Sequence, residues 1–303
     1  MGGPVILVDW GTTNFRAWLA TGPGVPPEQI VSDGPGMASL APGEFPEAFS
    51  RALDPWRSGS SPVPVYMAGM VGAATGWQAA PQLPLPVTLA DLAGAVVPVD
   101  GFEEVWIVPG VRVPGEAPDV MRGEEVQIFG AFGLTGRRDA MLCLPGTHSK
   151  WARVEDDTLI TFTTSMTGEV HAVMMAHSLL GREASGDSGP LGAAFDEGLA
   201  AGAGSGGLLH QLFAARSRRL FGDLGPDDVR PFLSGVLIAS EIAAMATDYP
   251  PGDGEVLLVG SQTLRGPYER ALEHFGYVYR WIDASDATLR GLFDILQCRS
   301  GGR

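Results

Sequence analysis

Lysine is almost missing from this chain: of its 20 basic residues, Lys150 is the single lysine and the other 19 are arginine. Cysteine is nearly missing too, with only Cys143 and Cys298 in 303 residues. Neither has metal-ligand spacing, and two thiols in a chain of this length do not make a disulfide scaffold, so a reducing cytoplasm is the expected setting. No apolar run approaches the roughly 20 residues of a membrane-spanning helix. No basic n-region or cleavage-site pattern precedes Val5, so no leader peptide is expected. Positive charge is scarce: 35 acidic residues stand against 20 basic ones, a formal net charge of −15. Such a surface repels phosphate backbones and anionic lipid, which excludes nucleic acid and membrane as expected partners. What is present is globular, with 45% apolar and 18% charged residues.

Two segments share one pattern. Val5–Asp9 is an apolar run ending in an acid, Trp10-Gly11-Thr12-Thr13-Asn14 carries turn residues, and Phe15–Ala20 resumes as apolar. Met141–Leu144 is likewise apolar, Pro145-Gly146-Thr147-His148-Ser149 reads as a turn, and Lys150–Val154 continues. Both predict a strand, a tight Gly-Thr turn and a returning strand. Gly11 and Gly146 lie 135 residues apart, which suggests two halves of like architecture. Strands are also expected at 63–68, 105–108, 159–162 and 256–259. Helices are expected at 42–56, from Asp119 onward, and at 169–180, 208–220, 231–247, 267–275 and 287–296. The AAGAGSGG stretch at 200–207 reads as a loop, since no strand precedes it and no Lys-Ser/Thr follows. Alternating strands and helices indicate an α/β protein.

The first turn has chemistry to offer. Holding a phosphate takes converging backbone N–H groups, small residues that let the backbone approach, and extra hydroxyl donors. Gly11, Thr12, Thr13 and Asn14 supply all three, and Asp9 before them is placed to hold Mg²⁺ against bound phosphates, through water. Gly146, Thr147, His148 and Ser149 offer a second such turn. Lys150, the one ammonium in an arginine-rich chain, stands beside it, where a compact point charge suits an anion. For His148, a phosphate contact and a structural place in the turn remain alternatives.

Asp9-Trp-Gly-Thr-Thr-Asn-Phe-Arg16 resembles the first phosphate motif of the hexokinase/actin superfamily. Leu144-Pro-Gly-Thr-His-Ser-Lys-Trp151 stands where the second belongs, and Val256-Leu-Leu-Val-Gly260-Ser261 resembles the adenosine motif. The strings at 65–81, 120–131, 144–151, 164–181, 232–241 and 257–272 resemble one family over nearly the whole chain, the 2-dehydro-3-deoxygalactonokinases.

The resemblance implies two ribonuclease H-like α/β domains with an inter-domain cleft, ATP and Mg²⁺ as cofactors, and transfer of phosphate to the terminal C6 hydroxyl of 2-keto-3-deoxygalactonate. The domains are expected at 1–115 and 116–303, parted in the Pro/Gly-bearing stretch between Val111 and Asp119. ATP would meet the two turns and Gly260-Ser261. Related sugar kinases open a helix with Gly-Asp-Gln and take the general base from it; Glu124, 22 residues before Gly146, has that place here. Glu125 and Glu169 are the alternatives. The acid's carboxylate favours arginine, so Arg122 is expected in the sugar-acid pocket together with Gly69, Met70, Glu125 and Glu169. The alternative for Arg122 is an i,i+3 contact with Glu125. A homodimer is one option for the assembly. Another sugar kinase of the same fold, an ATP-driven switch protein, and a sensor that binds without transfer are the competing functions.

Overall fold

The computed structural model describes residues 3–21, 25–59, 61–186, 189 and 191–301. The chain divides into two compact units. The first gathers Met1–Asp139, Val154–Phe162 and Ala284–Arg303; the second gathers Ala140–Arg153 and Thr163–Asp283.

The first unit opens with β1 (Val5–Trp10), β2 (Asn14–Ala20), β3 (Glu28–Pro35), α1 (Phe45–Arg57) and β4 (Val65–Ala68). It continues through β5 (Gln82–Pro84), β6 (Val87–Thr88), α2 (Leu89–Gly94), β7 (Val97–Pro98) and β8 (Val105–Ile107). β9 (Gly110–Val113), β10 (Asp119–Met121) and α3 (Glu124–Thr135) follow. Its main sheet has the order β3-β2-β1-β4-β8-β7. β1 runs antiparallel to β2 and parallel to β4, and β4 is parallel to β8. The VILV run of β1 is buried on both faces, as a central strand with apolar neighbours above and below must be. Trp10, at its end, sits edge-on to Phe15 at 4.7 Å and packs near Phe45 and Trp77.

The chain then forms β11 (Ala140–Leu144), β12 (Ser149–Glu155), β13 (Thr158–Ser165), α4 (Thr167–His177), α5 (Leu179–Arg182) and α6 (Ala193–Gly202). After these come α7 (Gly207–Phe221), α8 (Val229–Met245), β14 (Glu255–Gly260), α9 (Gln262–His274), β15 (Val278–Asp283) and α10 (Ala284–Gly301). The second unit carries the strand order β15-β14-β11-β12, with β11–β14 and β14–β15 parallel. That order repeats β8-β4-β1-β2 of the first unit. The expectation of two like α/β halves holds, and both Gly-Thr turns follow the first strand of their half.

Three expectations are corrected. The division at 115/116 is not where the compact units part: residues 116–139 and the last helix belong to the first unit. VRVPGEAPD is a hairpin loop, not a linker, because Val113 pairs with Asp119 and Val111 with Met121 across β9 and β10. For the same reason Asp119 lies in a strand, and the helix begins only after Gly123. The 200–207 stretch is also partly helical, since α6 runs to Gly202.

Candidate active site

The first unit collects its candidate residues at the carboxyl ends of the parallel strands β1 and β4, where α/β sheets hold their ligands. The Gly11 N–H donates to the Asn14 carbonyl at 2.9 Å and closes the turn. Met37 and Ala38 donate their N–H groups to the Gly11 and Thr12 carbonyls, bracing it from behind. Thr12, Thr13 and Asn14 are exposed. Asp9, just before them, is largely buried; its Oδ2 accepts from Arg16 Nη2 at 2.9 Å, and Arg16 Nη1 donates to Ser285 Oγ of α10. Burial pushes the Asp9 carboxyl up, Arg16 pulls it back, and the charge of Glu124 pushes it up again.

β4 is followed by Gly69, which has φ +97°. A Cβ there would stand 2.7 Å from the Trp10 carbonyl oxygen and 3.5 Å from Asp9 Oδ1. One at Gly123, before α3, would stand 3.2 Å from the Gly69 Cα. Only glycines let these three backbones meet. The contact puts Asp9 beside the N-terminus of α3, where Glu124 is half-buried and accepts the Arg122 N–H at 3.1 Å. Glu125 is fully buried, with both carboxyl oxygens 2.8 Å from the Gly123 N–H. Burial, then the neighbouring Glu124 charge, pushes its carboxyl up to about 8. Burial thus favours the protonated form of Glu125. Arg122 turns inward: Nη2 donates to the Ala80 carbonyl at 2.8 Å, and Nη1 is buried with no acceptor among the described residues. It props the turn holding Gly69, Met70 and Gly72, where a Cβ on Gly72 would lie 3.0 Å from Nη1. Met70 packs in part against the core.

In the second unit, Thr147 and His148 are exposed at the tip of the turn. Ser149 and Lys150 are not: as the first residues of β12 they send their side chains into the protein. Ser149 Oγ donates to Glu241 Oε1 at 2.7 Å, and the Lys150 ammonium donates to the His148 carbonyl at 3.1 Å. Ser149 and Lys150, expected beside a bound anion, are thus buried, with their side chains engaged inside the protein. α4 abuts the turn. The Glu169 N–H donates to the Thr147 carbonyl at 2.9 Å, and Glu169 Oε2 lies 2.6 Å from His148 Nε2. A Cβ on Gly168 would come within 2.5 Å of the Gly146 carbonyl oxygen. Glu169 thus belongs to the second turn. Gly260 ends β14 beside Pro145, and the exposed Ser261 precedes α9. A cavity of about 140 Å³ opens at Gly146 of the turn, lined also by Thr167, Gly168, Leu237, Leu264 and Tyr268.

Sequence reasoning missed Arg16, Thr167, Tyr268 and Glu241. Glu241 left a signal, a carboxylate inside the apolar helix run FLSGVLIASE. No cluster of three or more potential metal-ligating side chains occurs among the described residues.

A pair of like-ordered sheets, each bearing an exposed Gly-Thr turn after its first strand, with an acid before one turn and a half-buried acid at an adjoining helix start, defines a two-domain phosphotransferase of the hexokinase/actin fold. The chain belongs to the 2-keto-3-deoxy-galactonokinase family, whose family model matches residues 9–295. It is 35% identical to the 2-dehydro-3-deoxygalactonokinase of Escherichia coli (strain K12) over 280 residues, 89% of this chain and 90% of that one. It is 36% identical over 296 residues to a candidate enzyme of that name from Rhizobium meliloti, 96% of this chain and 95% of the relative. The crystal structure of a candidate 2-dehydro-3-deoxygalactonokinase from Sinorhizobium meliloti matches with a TM-score of 0.88 and 33% identity, over 97% of this chain and 98% of that one.

Proposed function

We propose that the chain transfers the γ-phosphoryl group of ATP to the terminal C6 hydroxyl of 2-keto-3-deoxygalactonate. The observation that carries the reading is the duplicated Gly-Thr turn, with Asp9 and Glu124 brought together at one of the two. Family membership supplies the acceptor.

Phosphoryl transfer asks the protein for positioning and charge neutralisation more than for covalent chemistry. The backbone N–H groups and hydroxyls of Gly11–Asn14, and those of Gly146, Thr147 and His148, serve as phosphate donors. The N-terminus of α4 lies against the second turn and adds its dipole. The 140 Å³ cavity that Gly146 lines takes part of the nucleotide. Asp9 fits Mg²⁺: Oδ2 is held by Arg16, while Oδ1 faces the space that a side chain on Gly69 would fill. The ion supplies neutralisation of phosphate charge when bound.

Glu124 is the group we assign to accept the hydroxyl proton. It is half-buried, at the N-terminus of α3, next to Asp9. Glu125 is disfavoured by its raised pKa, and Glu169 by its pairing with His148. The inward guanidinium of Arg122 supports a role in shaping the Gly69–Gly72 turn over direct capture of the acid. No helix among the described residues is long and apolar enough to cross a membrane. Both cysteines are free, which suits a cytoplasmic setting.

An acceptor panel with Mg·ATP, read by ADP release, tests the reading. Turnover is expected with 2-keto-3-deoxygalactonate, and less or none with its gluconate epimer or neutral sugars. ADP release that ignores every sugar acid would refute it. Preference for a different acceptor would move the chain to another sugar kinase of this fold.

A further inference from the structure

Glu241 lies in the middle of α8, 5% exposed, surrounded by apolar helix residues. A carboxylate in such a place costs stability unless its lone pairs are taken up. They are, by four donors. Oε1 accepts Ser149 Oγ at 2.7 Å and Trp151 Nε1 at 2.8 Å. Oε2 accepts Tyr268 Oη at 2.8 Å and also Thr167 Oγ1. The donors come from three elements: β12, the start of α4, and α9.

These are the elements around the second turn. Ser149 and Trp151 begin the strand that leaves it. Thr167 opens the helix whose Glu169 N–H holds the Thr147 carbonyl. Thr167 and Tyr268 also line the 140 Å³ cavity, together with Gly146. One buried side chain therefore fixes the strand after the turn, the helix against the turn, and two walls of the cavity beside it. We propose that Glu241 is a positioning residue for the nucleotide, holding the Gly146–His148 turn and the cavity walls in their binding arrangement without touching the nucleotide itself. The proposal rests on the kinase reading of the second unit.

A carboxylate suits this task better than an apolar residue would. All four partners are donors toward it, and each of its two oxygens accepts from two of them. Losing it leaves buried donors unpaired next to the turn, and each such loss shifts an equilibrium by about tenfold.

The test compares Glu241→Ala, Glu241→Asp and Glu241→Gln. Mg·ADP affinity is read by titration calorimetry. Separate KM values are then measured for ATP and for 2-keto-3-deoxygalactonate, with folding checked by circular dichroism. Glu241→Ala is expected to weaken Mg·ADP binding and raise KM for ATP by about tenfold or more, leaving KM for the sugar acid within about twofold. Glu241→Gln should recover most of that loss: its oxygen can keep the Ser149 and Trp151 pair, while its amide donates to the Thr167 and Tyr268 hydroxyls. Should Glu241→Ala not fold, Glu241→Asp carries the test, because a carboxylate drawn back by one methylene cannot reach both pairs. The proposal is overturned if a folded Ala or Asp variant binds Mg·ADP as the parent does, or loses only kcat with both KM values unchanged, which is what a smaller folded fraction would give. A parent chain that binds Mg·ADP but phosphorylates a different acceptor leaves this inference standing and moves only the substrate. A parent that binds no Mg·ADP removes the kinase reading itself.

Discussion

Replacing Glu125 by glutamine should remove a pH dependence built into the first unit. The Glu125 carboxyl is wholly buried, and the Gly123 N–H stands 2.8 Å from each of its oxygens. Burial and the Glu124 charge raise it from 4.5 to about 8 in the folded chain. In the unfolded chain it titrates near its ordinary value. Between those two pH values the folded state holds a proton that the unfolded state has released. Stability from this group is thus full below about 4.5 and is lost as pH rises toward about 8. The gap of roughly 3.5 pH units, at about 1.36 kcal/mol each, sets an upper bound of roughly 5 kcal/mol. Glutamine keeps the shape and one acceptor for Gly123, but cannot ionise. Urea unfolding of parent and Glu125→Gln at pH 5, 6, 7, 8 and 9 gives the stability difference at each pH, in which the other titrating groups largely cancel. The variant should gain on the parent by a few kcal/mol between pH 5 and pH 9. A difference that stays flat within about 0.5 kcal/mol would show that the carboxyl is not held neutral, and would return Glu125 to the list of candidate bases.

Glu124→Gln should cut turnover by about 10²-fold or more while Mg·ADP affinity stays near the parent value; full turnover would reassign the base. Arg16→Gln should move the acid limb of the kcat/KM profile to higher pH, since Asp9 then keeps the two influences that raise it and loses the one that lowers it; an unmoved limb would contradict the pairing. Gly168→Ala should raise KM for ATP and lower stability by about 1–3 kcal/mol, because its methyl would press on the Gly146 carbonyl oxygen. Lys150→Arg should cost about 1–3 kcal/mol in a thermal melt, as a larger fork is forced into a buried strand position; an unchanged melting point would mean the site has room.

The two hairpins were legible because Gly-Thr between short apolar runs has few other readings, and their likeness announced the repeat. Assignments failed where one residue's step changes the side-chain direction. Ser149 and Lys150 look continuous with Thr147 and His148 in sequence, yet β12 begins at Ser149, and the two side chains take opposite faces of a strand covered on both. Asp119 resembles a first-turn acid, but its strand pairing with Val113 outweighs that preference, and Gly123, at φ +104°, delays the helix. The domain boundary was misplaced because Pro and Gly mark hairpin loops as readily as linkers. Nothing local in the sequence says that the last helix returns to the first unit. Arg122 was legible as unusual but not as buried, since its partner is the backbone carbonyl of Ala80, 42 residues away.

Aligning the two turns on their glycines shows how one fold has taken two electrostatic forms. Asp9 of the first half corresponds to Leu144 of the second, and Arg16 to Trp151. In the first half the acid sits on the strand itself, answered by an arginine two residues past the turn, and it keeps one oxygen toward the Gly69 backbone. In the second half both positions are apolar or aromatic. The carboxylate arrives instead from α8, beneath the sheet, and is consumed by four donors. A half-free carboxylate can serve a cation or a proton, whereas a fully engaged one can only fix geometry. On the proposed reading, metal holding and proton transfer would fall to the first unit, and the second would shape and hold the nucleotide. Exchanging the roles would require Leu144 to become an acid in a strand buried along its last four residues, where no arginine stands opposite to balance it.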